Sequence, residues 1–346
     1  MMRATTRNGW ALGLFMATPG LAAAAPEAVP LYREIKDWVV GCDNTRYCTA
    51  VLADHSEQSR IFIRVQREAG ATGALHLTLL GSTDWSGEPL LDGQPLMAAW
   101  RITRHAETQL QVDDADAYAV LRQMRNGQKL VDDTPHQERE SSLQGLSAAL
   151  LLIDSVQGRV GHPSALVRPG DTVEDAQLPT LPVPMAPALV ERPTVSEEER
   201  AGITQVVMAR AAAQDQLKNE YDVPPELEVH PLNDRQALAL LSYNCNDFNC
   251  QYALYQVARS APHALAPLAF EVPASPVNSL TRDHISFSQR TGELYSYAKN
   301  DYPGSCGTEE FWRFDGQRMR LTRLLRMERC VGLGPDYWPV LWRTQG

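Results

Sequence analysis

The sequence predicts a mainly β chain with some α structure, an α+β protein of two antiparallel-sheet domains joined by a proline-rich linker and a helix. Three observations carry that expectation. Alternating apolar runs of strand length recur at Ile61 to Val65, Leu75 to Leu80, Ala237 to Tyr243, Tyr252 to Val257, Ile285 to Ser288 and Leu294 to Ala298, the period-two pattern of half-buried strands. Two tight cysteine loops, Cys42 to Cys48 and Cys245 to Cys250, each sit between strand-like runs. Between Arg168 and Pro193 stand Pro169, Pro179, Pro182, Pro184, Pro187 and Pro193, and proline removes backbone donors and favours extended chain.

The chain opens with Met1-Met2-Arg3-Ala4-Thr5-Thr6-Arg7, an apolar stretch from Trp10 to Leu21, and Ala22-Ala23-Ala24-Ala25 before Pro26. This is a positive n-region, an apolar core and an Ala-x-Ala site, the signature of a secretory signal. Pro26 directly after a cut would obstruct a signal peptidase, so the cut is placed after Ala24. The apolar core is shorter than the roughly 20 residues a membrane span needs, and no later segment could span. The resulting divisions are a signal peptide at 1–24, an N-terminal α+β domain at 25–167, the linker at 168–195, a helix at 196–226 and a C-terminal β-rich domain at 227–346. The expected location is the periplasm. With 32 basic against 42 acidic side chains and a net charge of −10, nucleic acid is a poor partner.

In the first half, Trp38-Val39-Val40 leads into Cys42, and Thr49 to Leu52 resumes after Cys48. Asp116 to Arg125 and Ser142 to Gln157 read as helices, the second with Leu146, Leu150 and Ile153 at helical spacing. The second half starts with Ser196 and Glu199 as a capping box, with Glu197 to Glu199 at the positive end of the helix dipole. Ile203, Val206, Val207, Ala211 and Leu217 give that helix an apolar face, and it is expected to run to near Tyr221, ahead of Pro224-Pro225. Phe311 to Phe314, Asp315-Gly316 and Gln317 to Leu321 predict a hairpin with a type I′ turn. The cysteine loops, Cys-Asp-Asn-x-x-x-Cys-Thr-Ala and Cys-Asn-Asp-x-x-Cys-Gln-Tyr-Ala, hint at an internal duplication, although turn chemistry selects Asn and Asp on its own.

Six cysteines allow 15 pairings. Proximity favours Cys42 with Cys48, Cys245 with Cys250 and Cys306 with Cys330. Neither short loop is Cys-x-x-Cys and no histidine lies close to either, so structural disulfides are expected rather than redox or metal chemistry.

No stretch forces a particular reaction. The eight histidines are scattered singly. Ser296-x-x-Lys299, Ser242-Tyr243-Asn244 and Arg290-Thr291-Gly292 together approximate the motifs of penicillin-recognising enzymes, but the Ser-x-x-Lys comes last and in a strand-like segment, where that family opens a helix with it first. Asp113-Asp114-x-Asp116 and Asp132-Asp133 lack the glycine turn and closing glutamate of a calcium loop and read as solvated acidic loops. No catalytic residue, metal or cofactor is expected.

One strip departs from the acidic background: Arg313, Arg318, Arg320, Arg323, Arg326 and Arg329 fall within 17 residues that contain only Asp315 and Glu328 as acids. Trp312 precedes it, and Trp338 and Trp342 follow. Trp312, Arg313, Arg318, Arg320, Trp338 and Trp342 are therefore the candidate binding surface, with arginine forks suited to phosphate or carboxylate. The competing account is a solvated strand face whose charges discourage edge aggregation.

The segments Lys36-Asp37-Trp38-Val39-Val40-Gly41-Cys42-Asp43-Asn44, Gly145-Leu146-Ser147-Ala148-Ala149-Leu150 with Asp154-x-x-Gln157-Gly158-Arg159, Gly292-Glu293-Leu294-Tyr295-Ser296-Tyr297, and Trp338-Pro339-Val340-Leu341-Trp342-Arg343 carry a family likeness. The chain resembles a family of exported proteobacterial proteins classed as a domain of unknown function, and its first half is distantly similar to invasion-associated locus B proteins. The resemblance implies a periplasmic, disulfide-bearing, two-part protein and supplies no catalytic residues. The leading expectation is a non-enzymatic binding or envelope-interaction protein with an anionic envelope component or acidic protein as partner. The alternatives are an envelope hydrolase whose site is assembled from distant residues, since triads recur in any chain order, and an inhibitor of an envelope-degrading enzyme.

Overall fold

The structure is a computed structural model that describes residues 27–54, 61–81, 85, 88–105, 107–133, 138–171, 175–218, 220–221, 223–246, 250–271 and 284–346. The signal segment 1–24 and its cut lie outside the described residues. In the first half, β1 (Leu31–Ile35), β2 (Trp38–Cys42), β3 (Cys48–Leu52), β4 (Phe62–Arg67) and β5 (Leu75–Gly81) form an antiparallel meander. Next come β6 (Pro89–Leu91), β7 (Gln94–Pro95), β8 (Arg101–Arg104), β9 (Thr108–Asp113), α1 (Asp114–Met124), β10 (Lys129–Asp133), β11 (Glu138–Ser142) and α2 (Leu146–Val156). They make a seven-stranded sheet ordered β1-β2-β3-β4-β5-β9-β8 and a four-stranded sheet ordered β11-β10-β6-β7.

The second half starts with α3 (Glu197–Ala213) and continues with β12 (Glu226–Pro231), β13 (Gln236–Tyr243), β14 (Gln251–Ala258) and β15 (Leu265–Pro267), a four-stranded sheet in chain order. The closing sheet takes β16 (Phe270–Glu271), β17 (Ser286–Ser288), β18 (Glu293–Lys299), β19 (Gly307–Phe314), β20 (Met319–Met327) and β21 (Val340–Arg343) in the order β16-β20-β19-β18-β17, with β21 also on β20. The fold is thus β-rich α+β, and β16 with β20 is the one parallel pair among the named strands. Disulfides join Cys42 to Cys48, Cys245 to Cys250 and Cys306 to Cys330. Three disulfides suggest a non-cytoplasmic protein. Among the described residues no helix is long and apolar enough to cross a membrane.

β2 and β3 are buried along their whole length, and their alternation serves two cores at once. Trp38, Val40, Cys42, Cys48, Ala50 and Leu52 point into the core beneath α1 and α2. Val39, Val51 and Ala53 point the other way and pack on Leu325, Met327 and Trp338 of the closing sheet. Strands whose two faces are both covered lose the polar alternation of a half-buried strand, as Trp-Val-Val here shows. Gly41 marks the closest approach: a Cβ there would lie 2.4 Å from Pro339 Cβ and 2.9 Å from Leu341 Cδ2.

The α2 C-terminus anchors a buried polar lock. Asp154 accepts from the amides of Leu166 (3.0 Å) and Val167 (2.9 Å), with Arg67 Nη1 at 3.5 Å. Gln157 Nε2 donates to the carbonyls of Arg46 and Arg67, both at 2.9 Å. Arg159, 1% exposed, donates to Gln157 Oε1, Ser164 Oγ and the carbonyls of Glu68 and Gly70 at 2.7 to 3.1 Å. Burial pushes the Asp154 carboxyl up and the Arg67 guanidinium down to about 10.

Several expectations need correction. The helix expected from Ser142 starts at Leu146, because Glu138 to Ser142 is strand and Gly145 turns the chain at φ +98°. The helix expected to reach Tyr221 stops at Ala213, where Asp215 takes a left-handed conformation (φ +58°) and Gln216 N bonds back to Ala211 O at 3.0 Å. Its start is as expected: Ser196 Oγ accepts from Glu199 N (3.2 Å) and Glu199 from Ser196 N (2.7 Å). The β19–β20 connection is no type I′ turn, since Gly316 (φ +102°) is positive but Asp315 is not. Asp315 instead accepts the Gln317 and Arg318 amides through its side chain at 2.8 and 2.9 Å. The Asp113-Asp114 cluster is no solvated loop: Asp113 ends β9 bonded to His76 (2.6 Å), Gln111 and Arg101, and Asp114 opens α1 while accepting the Leu75 amide. Asp132 is buried on β10.

The proline-rich stretch lies against the second half. Met185 bridges Gln345 in parallel, Ala186 N donates to Gln345 O and Gln345 N to Pro184 O, both at 2.8 Å. Arg259 Nη1 and Nη2 donate to the Pro193 and Thr194 carbonyls, and Arg192 donates to Gln289 O and Arg290 O. Proline leaves its carbonyl free to accept, so a donor-poor segment suits a strap held by other residues' donors.

Candidate functional site

β16 and β21 lie end to end along one edge of β20. Glu271 pairs with Arg320 at one end, and Arg343 pairs with Arg323 at the other, so that among the described residues Leu321 and Thr322 between them have no strand partner on that edge. Thr322 is the extra residue of a bulge, since Phe311 faces Arg323 and Trp312 faces Leu321. Bulges interrupt pairing and re-aim side chains. The carbonyls there are met by side chains: Trp342 Nε1 donates to Leu321 O at 3.1 Å and Thr344 Oγ1 to Thr322 O at 3.2 Å.

Over this interruption the strap and the last strand enclose a groove of about 200 Å³ lined by Pro184, Met185, Pro187, Glu271, Arg320, Leu321, Trp342 and Thr344. Met185 is 71% exposed there. Arg320 donates to Asp315 Oδ2 at 2.6 Å and to Glu271, and Arg318 reaches Glu271 at 3.3 Å. Both guanidinium side chains stay 45% exposed. Partial burial pushes the Asp315 carboxyl up, but the Arg318 and Gln317 amides and the Arg320 guanidinium outweigh it and hold it below the usual range.

The structure divides the predicted surface. Arg318, Arg320 and Trp342 come together at or beside the groove. Trp312, 1% exposed, and Trp338, 3% exposed, are core residues; Trp312 sits on a buried position of β19 and Trp338 on the turn before β21, and spacing could not distinguish either from surface. Arg313 is turned under the strap, donating to Pro187 O at 3.1 Å and pairing with Glu293 at 3.3 Å. Further along the strip, Arg323 lies 5.7 Å from the Phe311 ring centre, Arg326 pairs with Glu328, and Arg329 binds Glu34 at 2.8 Å. Pro184, Met185, Pro187, Glu271, Leu321 and Thr344 are groove residues absent from the predicted surface; Met185 sits inside the proline-rich run and carries no signal of its own.

The six cysteines are structural partners in three bridges. Among the described residues, the grouping of Asp301 with Cys306 and Cys330 is a by-product of a disulfide, whose sulfurs are no thiolate ligands. Ser296 is buried on β18, a strand rather than the helix start a penicillin-recognising serine needs. On the closing sheet burial raises the Glu309 carboxyl and Asp336 adds to the rise, while Tyr295 donates to it at 2.7 Å. The Arg320 groove does not include Glu309.

Known proteins place the chain in a family. It is 32% identical over 343 residues to the Uncharacterized protein YpfG of Escherichia coli strain K12, covering 92% of this chain and 94% of the relative. The crystal structure of invasion associated protein b from Bartonella henselae aligns with 37% of this chain and 99% of its own, at a TM-score of 0.28 and 17% identity. Residues 32–345 match the family described as "Protein of unknown function (DUF1176)", and the chain belongs to it.

Proposed function

We propose that this is an exported, periplasmic envelope protein that acts by binding, and that its contact surface is the Arg320–Trp342 groove. The observation that carries this reading is the meeting of two half-exposed guanidinium groups, an indole and an exposed methionine over an interrupted strand edge. Glu271 and Asp315 hold the arginine forks in place, and a phosphate or carboxylate on the partner competes with Glu271 for them. The export signal read at 1–24 and the three disulfides support the location. We also propose that 25–167 and 227–346 act as two units clamped by the core they share.

The test uses the mature protein, purified oxidised and immobilised, against solubilised envelope at two salt concentrations. An anionic component retained at low salt and shed as salt screens the contact supports the groove. Arg318→Ser with Arg320→Ser should then weaken retention at least tenfold; unchanged retention overturns the assignment. The hydrolase reading keeps one observation, the raised Glu309 carboxyl. It gains only if envelope polymers are cleaved by the wild type and not by Glu309→Gln.

A further inference from the structure

We infer that Met185 is an oxidation site: a hydroperoxide converts its thioether to the sulfoxide, and the sulfoxide loosens the partner's hold on the Arg320–Trp342 groove. The inference rests on that groove being the contact surface. Access to oxidant divides the described methionines. Met124, Met319 and Met327 are fully buried, Met208 is half-buried against the α3 core, and Met185 and Met97 stand 71% and 79% exposed. Exposed thioethers are the ones that peroxide reaches. Met97 stands in the N-terminal half, outside the groove, whereas Met185 forms part of the groove wall beside Trp342. The three disulfides suggest a compartment in which oxidants are met.

A lone pair of the Met185 sulfur attacks one peroxide oxygen, and the S–O bond forms as the O–O bond breaks. The departing oxygen takes up the proton of the transferred one and leaves as water or, from an organic hydroperoxide, as the alcohol. Sulfur gives up two electrons and the peroxide accepts them. The thioether is soft and apolar and packs well on rings, whereas the sulfoxide is polar and chiral. In a groove of about 200 Å³ whose apolar wall is Pro184, Met185, Pro187, Leu321 and Trp342, this change removes apolar contact from whatever lies over the indole. The strap itself stays in place, because its anchors are all on the main chain. Ala186 N donates to Gln345 O and Gln345 N to Pro184 O, both at 2.8 Å, and Arg313 Nη1 donates to Pro187 O at 3.1 Å. Arg320 likewise remains tied to Asp315 and Glu271. Oxidation at Met185 therefore alters the chemistry of the surface and leaves the fold intact, unlike oxidation of a core methionine.

The experiment treats the mature, disulfide-bonded protein with hydrogen peroxide and follows each methionine by peptide mass spectrometry. Met185 and Met97 should each gain one oxygen well before Met124, Met319 and Met327. The Trp342 indole N–H resonance should move in step with oxidation in the wild type and in Met97→Leu, and stay put in Met185→Leu. Retention of solubilised envelope components at low salt is then compared before and after treatment, each variant against its own untreated sample. Treatment should lower retention about tenfold in the wild type and in Met97→Leu and leave that of Met185→Leu where it was. Three results overturn the inference: Met185 still unoxidised once Met97 has reacted, a Trp342 resonance indifferent to Met185 oxidation, or an equal loss of retention in Met185→Leu. Wild type that retains a component equally well before and after treatment also overturns it and leaves the groove standing. Untreated wild type that retains nothing refutes the groove as contact surface, and this inference with it.

Discussion

The carboxylate of Asp43, fully buried at the tip of the first cysteine loop, accepts a hydrogen bond from the guanidinium of Arg343, 300 residues later on the last strand. Thr45 N and Oγ1 (both 2.7 Å) and Tyr47 N (3.0 Å) fill its other oxygen, and Arg343 N and O are bonded by Asn44 at 2.9 and 3.1 Å. The loop closed by Cys42–Cys48 is thus a socket for the end of the chain. Arg343→Ala should lower stability by about 2 kcal/mol, the cost of removing a charge-assisted bond. Urea midpoints of Arg343→Ala and Asp43→Asn should show less than additive losses in the double variant.

Gly41→Ala should destabilise by about 1 to 3 kcal/mol, because the added methyl meets Pro339 across the shared core and must push two packed layers apart. The same denaturation experiment checks it. A fall below about 0.5 kcal/mol would mean that β2 and the closing sheet do not pack this tightly.

Arg159→Ala should cost about 3 to 5 kcal/mol, since it strands the carbonyls of Glu68 and Gly70 and the Gln157 side chain in a buried place. Arg318→Ser with Arg320→Ser, by contrast, should leave the unfolding midpoint close to that of the wild type, because exposed ion pairs contribute little. Comparing the two variants by thermal unfolding separates lock from surface.

Two carboxyls give the acid limb of stability. The Arg259 guanidinium and the Ser196 amide hold Glu199 down to about 2, and the His76 ring with Gln111 and Arg101 holds Asp113 to about 2. A depressed carboxyl binds protons more readily unfolded, so its contribution is full above roughly pH 4.5 and is lost as pH falls toward 2. Urea midpoints should drop over that window in the wild type. Glu199→Gln with Asp113→Asn should start lower at pH 7 and fall less steeply; parallel curves would remove these groups from the account.

Loss of the Cys306–Cys330 bridge by paired Cys→Ala changes should cost about 3.5 kcal/mol, and loss of either short bridge about 2, following loop length. Calorimetry of the three oxidised variants checks the order.

The sequence by itself determined what short-range physics governs. Strand runs such as Leu294 to Ala298 show their period, Ser196 and Glu199 satisfy the orphan amides of a helix start within one turn, and cysteines five and six residues apart can reach each other at or just beyond the ends of neighbouring strands. Even here the helix end escaped, because Leu217 continues the apolar pattern while Asp215 has already turned the chain and Leu217 packs from outside the helix. Tertiary structure alone decided the rest. Trp312 and Arg318 stand six residues apart in one strip, yet one is core and the other surface, because that depends on the register of β19 with β20. The charge of the strip is offset by Glu271, Glu293 and Glu34, which lie far away in sequence. Long-range pairs are set by how sheets stack, and no local pattern records which acid a given arginine will meet.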